Sequence, residues 1–208
     1  WQPFIMTPPY HKEPGLELKV IETPYKDSLT FLRKLLRIKP DEDDMRKQVK
    51  ERFGSKSKNF LLDSILTIGG AIVNYPDSKR GWKPFAIGEG TKLFQQENID
   101  AIISSSLPVT SHIIANALKD KYRIPWLADF RDLWSQNQNY SYGPLRKLID
   151  RRLELKTLSS ANALVTISEP LAEELRALHQ GKPVYTITHG FDPAEVNIPP
   201  AKLTAKFT

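Results

Sequence analysis

From Asn98 onward the chain alternates between short β-branched runs and longer stretches whose apolar residues return every three or four positions. The runs "IDAIISSS" (99–106), "PWLADF" (125–130), "ALVTIS" (163–168) and "VYTITHG" (184–190) read as strands. Between them, "PVTSHIIANALKDKYR" (108–123), "GPLRKLIDRRLELKTLSSA" (143–161) and "EPLAEELRALHQ" (169–180) have helical period. Pro108 suits a first helical turn, and Gly181 suits a helix stop. Strands and helices that alternate across short loops imply right-handed crossovers and parallel pairing. The expected fold class is therefore α/β: a Rossmann-like, doubly wound, mostly parallel sheet with helices on both faces.

The first half is less regular. "PFIMTP" (3–8) and "LELKVIETP" (16–24) have strand character, after which residues 27–97 carry only helical or loop patterns and read as a largely helical insertion. Within it, "DSLTFLRKLLRI" (27–38) gathers Leu29, Leu32, Leu35 and Leu36 on one face and sets Arg33, Lys34 and Arg37 on the others. "DEDDMRKQVKERFG" (41–54) begins with acids and ends with bases, the order that a helix dipole favours. "NFLLDSILTIGGAIVNYPD" (59–77) reads as a buried helix broken at Gly69-Gly70, and "WKPFAIGEGTKLFQQEN" (82–98) as a helix feeding the strand at Asp100.

Composition narrows the function classes. The chain has no cysteine, which removes disulfides and thiol-based metal or redox chemistry and fits a cytoplasmic protein. Its apolar runs are far shorter than the roughly 20 residues a bilayer span needs. A net charge of +6 favours anionic partners. The bases are not interleaved with stacking aromatics, so a nucleic-acid role is not expected. The Arg33, Lys34, Arg37 face, opposite a row of leucines, makes peripheral contact with an anionic inner membrane face an expectation. The alternative is a helix packed on the core with its charges in water.

The four histidines, His11, His112, His179 and His189, have no ligand spacing, so no metal site is expected. No Gly-rich phosphate loop follows a strand, and no G-x-S-x-G elbow occurs. What remains is the set of strand C-terminal ends, where open α/β sheets place their ligands. Three carry polar clusters: Ser104-Ser105-Ser106, the stretch Asp129, Arg131, Asp132 with Trp134, and Thr188-His189-Gly190. Ser105 and Ser106 lead into a helix whose free N–H groups suit an anion or a sugar hydroxyl; an ordinary helix cap is the competing reading. For Asp129, Arg131 and Asp132 the alternatives are a ligand site, with Trp134 as an apolar platform, or an ion pair that fixes a loop. His189-Gly190 is either a cleft-facing loop or a turn.

These residues carry a resemblance. "IDAIISSSLPVTSHIIA", "IPWLADFRDLW", "SSANALVTISEPLAEEL" and "ITHGFDPAEV", in this order and spacing, resemble the N-terminal domain of family 4, or group 1, glycosyltransferases of the GT-B fold. The likeness covers roughly residues 82–196 and, weakly, residues 1–8. It implies one of two Rossmann-like lobes that face a cleft, with this one receiving the acceptor. Residues 1–196 would be that lobe, lacking its first strand and helix, and residues 197–208 a linker towards a C-terminal domain that supplies the donor site. His189 stands where many relatives have Asn before the Gly-hydrophobic-Asp turn.

The resemblance further implies a retaining transfer from a nucleotide-diphosphate sugar, no cofactor bound by this fragment, and inactivity of the fragment alone. The partners implied are a sugar or lipid-linked acceptor and the chain's own C-terminal domain, in the synthesis of cell-surface polysaccharide or glycolipid. Asp129, Arg131, Asp132, Trp134, Ser105 and Ser106 are the acceptor-site candidates, and His189 and Gly190 belong to a cleft-facing loop. A sugar-nucleotide epimerase of the same architecture and a non-catalytic basic module at a membrane surface are the rival readings.

Overall fold

The computed structural model describes residues 2–9, 18–26, 75–140 and 143–190. Strands β1 (Phe4–Thr7) and β2 (Lys19–Glu22) form a parallel pair. A 3₁₀ turn at Arg80–Trp82 leads into helix α1 (Lys83–Gln96). There follow β3 (Ile102–Ser106), α2 (Thr110–Tyr122), β4 (Trp126–Phe130), α3 (Pro144–Leu158), β5 (Ala163–Thr166), α4 (Glu169–Leu178) and β6 (Val184–Thr186). The α/β class with parallel strands flanked by helices is the one expected, and every element expected after Asn98 is present. The two strands of the first half do not join the four of the second: the described residues form a two-stranded and a four-stranded sheet.

The strand order β3-β4-β5-β6 follows the sequence. Each right-handed crossover therefore steps to the next neighbour in the same direction, which puts α2, α3 and α4 on one face. The core confirms this placement. Trp126, Ala128 and Phe130 of β4, Leu164 of β5 and Val184 of β6 lie at alternate, register-matched positions. They pack in one cluster with Ala115 of α2, Leu158 of α3, and Ala172 and Leu175 of α4. A second cluster joins Trp82 and Ala86 to Ile114 and Leu118 on another side of α2, with Met6 of β1 packed against it. Among the described residues no helix is long and apolar enough to cross a membrane.

The helix expected over 59–77 does not include Tyr75, Pro76 and Asp77, which are non-helical; residues 59–74 lie outside the described residues. Proline disfavours helix in the residue before it, which accounts for the non-helical backbone at Tyr75. The segments 27–38, with Arg33, Lys34 and Arg37, and 41–54 also lie outside the described residues. Residues 75–82 act as a strap. Asp77 accepts from the Thr110 N–H (2.7 Å) and hydroxyl (2.9 Å) at the start of α2, and from the Lys79 N–H at 2.7 Å. Arg146 of α3 donates to the Pro76 carbonyl at 2.9 Å and lies 4.3 Å from the Tyr75 ring centroid. Gly81 is required at its position, since a Cβ there would stand 1.9 Å from the Lys26 carbonyl oxygen.

Candidate functional site

Because β3 to β6 are all parallel, their C-terminal ends share one edge. Ser105 and Asp129 face each other in register on β3 and β4, and the serine hydroxyl donates to Asp129 Oδ2 at 2.7 Å. Arg131, one residue past β4, donates from Nε to His189 Nε2 at 3.2 Å, three residues past β6. Since β5 lies between those two strands, this contact arches over the end of β5 and links strand ends about 10 Å apart. To accept that bond, His189 presents an unprotonated Nε2. The arginine keeps both Nη groups without a protein partner among the described residues, and Asp132 beside it is exposed. The edge thus offers a half-buried carboxylate, a forked cation and an exposed carboxylate, the donor and acceptor set for a polar, anionic ligand.

Several sequence candidates sit differently from their expectation. Ser106 is 1% exposed and donates inward to the Asp132 carbonyl at 3.4 Å, so it presents no hydroxyl at the edge. Strand alternation is the reason: Ser104 and Ser106 face the helices, and Ser105 faces away from them. Trp134 is 5% exposed and belongs to the core, so it anchors the loop after β4 and is not an open platform. The anion site expected at the start of α2 is filled by the protein's own Asp77, which takes the Thr110 N–H. Gly190 is exposed beside His189. Glu169, at the same edge, is already engaged: Arg176 and Thr186 hydrogen-bond its carboxylate and hold its pKa below the usual range. No group of three or more His, Asp or Glu side chains suited to a metal ion occurs among the described residues.

Two buried polar clusters hold this edge in place. In the first, the indole N–H of Trp126 donates to Ser104 Oγ at 2.8 Å, and Ser104 lies 2.7 Å from His112 Nδ1. An indole nitrogen only donates, so Ser104 accepts from it and donates its own proton to Nδ1. That assigns the His112 proton to Nε2, a buried atom with no partner. The ring stacks at a tilt on Phe130, 4.7 Å between centroids. In the second cluster, Glu154 of α3 accepts from the Ser135 N–H at 3.0 Å and lies 3.3 Å from His179 Nε2 at the end of α4. Gln136 reaches the Glu174 carbonyl at 2.9 Å and its carboxylate at 3.0 Å. The loop carrying Arg131 and Asp132 is therefore pinned from beneath by α3 and α4.

Burial pushes His112 down from 6.5 to about 3. In the unfolded chain the ring protonates below its ordinary value, while the native ring refuses the proton until far lower pH. Stability contributed by His112 is thus fully present above pH 6.5 and is lost as pH falls from there towards about 3, at a slope of roughly 1.4 kcal/mol per pH unit. Urea unfolding across the acid range is expected to show a shallower pH slope for His112→Gln than for the wild type; equal slopes would remove His112 as the cause.

Asp77 and Glu154 were not singled out by the sequence. Asp77 sits in "YPDSK", whose Pro and Asp mark a turn but do not say which helix the carboxylate will cap. Glu154 lies in "DRRLELK", where charges four apart read as a solvated face. A family model described as Glycosyltransferase Family 4 matches residues 43–195. No curated protein matches the chain significantly.

Proposed function

Since the chain belongs to glycosyltransferase family 4, we propose that it is the acceptor-binding domain of a retaining, nucleotide-sugar-dependent enzyme that builds cell-surface polysaccharide or glycolipid in the cytoplasm. The observation that carries this is the convergence of Ser105, Asp129, Arg131 and His189 on one sheet edge. Sugar transfer needs an acceptor hydroxyl held in line with the anomeric carbon, neutralisation of the leaving diphosphate, and exclusion of water. Asp129 Oδ2 is taken by Ser105, which leaves Oδ1 to receive an acceptor hydroxyl. The Nη fork of Arg131, without a partner among the described residues, suits a phosphate or carboxylate on the acceptor, and Asp132 a second hydroxyl. Donor binding and diphosphate neutralisation fall to a second lobe in this reading, so the fragment alone is inactive.

Calorimetric titration separates the two ligand classes. The chain is expected to give no tight binding with a panel of nucleotide sugars, and measurable heats with anionic acceptor sugars or sugar phosphates. Micromolar affinity for a nucleotide sugar, with turnover, would overturn the assignment of this chain to the acceptor side.

A further inference from the structure

Helix α3 carries a face that the fold leaves unused. Its inner side is committed: Asp150, Glu154, Thr157 and Leu158 are buried. On the opposite side Leu145 is 73% exposed, Leu148 48% and Ile149 44%, with Leu155 at the margin at 38%. Leu145, the pair Leu148 and Ile149, Arg152 and Lys156 recur at three- and four-residue steps, so they form one stripe along the helix. Arg151 borders it, Lys147 lies on the other side of the helix, and all four of these cations are exposed.

The distribution of charge on α3 is one-sided. Its two carboxylates are turned inward, Asp150 at 2% and Glu154 at 0% exposure, where they bond Arg146, Tyr140 and the Ser135 N–H. Every exposed charge on the helix is therefore positive. Among the described residues Arg151, Arg152 and Lys156 have no carboxylate partner, and Lys147 lies 6.0 Å from the Tyr140 ring centroid. The neighbouring α4 exposes Glu169, Glu173 and Glu174, which bounds the cationic surface on that side.

We propose that this outer face of α3 docks on an anionic lipid bilayer, with Leu145, Leu148 and Ile149 entering the head-group boundary and Arg151, Arg152 and Lys156 meeting lipid phosphates. Leucine and isoleucine interleaved with unpaired cations is the arrangement of an interfacial helix, in which buried apolar area and attraction to anionic lipid act together. A protein partner of ordinary composition would be expected to meet some of these cations with matched carboxylates, whereas a bilayer supplies negative charge as a continuous plane. Position adds a consequence. Helix α3 begins just beyond the loop that leaves β4, so its exposed leucines lie on the half of the helix nearest the Asp129–Arg131 edge. Docking there brings the acceptor edge close to the membrane surface. That consequence rests on the acceptor reading, but the docking itself does not.

The test is co-sedimentation of the complete chain with vesicles of phosphatidylcholine alone and of phosphatidylcholine doped with phosphatidylglycerol, at low and high salt. Binding to the anionic vesicles only, weakened by salt, is expected. Each cation at an anionic surface contributes roughly five-fold in binding, so Arg152→Gln with Lys156→Gln is expected to weaken it by about 25-fold. Leu148→Ser with Ile149→Ser is expected to weaken it too, and both pairs should melt like the wild type because the side chains are exposed. Equal binding to both vesicle types, binding to neither, or binding unchanged in both variants would overturn the proposal. So would a concentration-dependent dimer that Leu148→Ser with Ile149→Ser dissolves, since the face would then belong to a second copy. No sugar enters the assay, so a negative result leaves the transfer reading where it stands.

Discussion

Replacing Arg131 with Lys is expected to lower acceptor-dependent transfer by the complete enzyme by roughly 10²–10³, the usual cost of losing a preorganised charge-stabilising donor, while the melting temperature stays near wild type. Lysine keeps the charge but loses the planar fork and the Nε donor that reaches His189. Arg131 is exposed and makes no buried contact, so its loss leaves the core intact. Asp132→Asn should behave in the same way with a smaller effect, because an amide still accepts a hydrogen bond. Asp129→Asn should cost both activity and stability, since Asp129 is half-buried and receives the Ser105 hydroxyl. His189 offers a control on orientation. His189→Asn restores an acceptor for the Arg131 Nε–H and should retain most activity, whereas His189→Phe should not. If instead the three charges form only a structural tie, the variants would melt earlier and activity per folded molecule would not change. Unchanged acceptor kinetics in all of them would remove the site from this edge.

The legible part of the sequence was the part where one physical signal dominates. From Asn98 onward, β-branched runs and helical periods alternate without competition, and each expected element overlaps an observed one whose ends are trimmed by at most four residues. Where two signals compete, the reading fails in an instructive way. The triple serine looks like one polar cluster, but a strand's two-residue period divides it, sending Ser104 and Ser106 to the helix side and Ser105 to the open side. Aromatic residues near charges suggest a platform, yet Trp134 is far enough past the strand to turn back into the core. Tertiary capping is harder still. Asp77 caps a helix that begins 33 residues later, and no local pattern encodes that reach. The α3 segment conceals the most. Its basic residues suggest a uniformly solvated helix, while its two acids, Asp150 and Glu154, are buried and Leu145 and Leu148 are among the exposed large apolar side chains of the described residues.

Glu154 is where a single substitution is expected to do the most damage to the fold. Its side chain is fully buried, with His179 at 2% exposure beside it, and its two oxygens hold separate partners, Oε2 the Ser135 N–H and Oε1 the His179 ring. Glu154→Ala would leave a buried N–H and a buried imidazole unmatched and open a cavity between α3 and α4. Removing one member of a buried polar pair typically costs about 3–5 kcal/mol, which for a chain of this size corresponds to a fall in melting temperature on the order of 10 °C. Glu154→Gln separates charge from shape. Its carbonyl oxygen can still accept from Ser135, and its amide can donate to His179 Nε2 once the ring carries its proton on Nδ1 instead, so the loss is expected to be about 1 kcal/mol. Because Ser135 lies four residues past Arg131, the same clamp fixes the loop that carries the acceptor candidates. Amide exchange reports on this directly: the Ser135 N–H should exchange slowly in the wild type and in Glu154→Gln, and much faster in Glu154→Ala. Slow exchange in the alanine variant, with a melting temperature within about 2 °C of wild type, would mean that the surrounding apolar packing holds the loop and that the carboxylate does not.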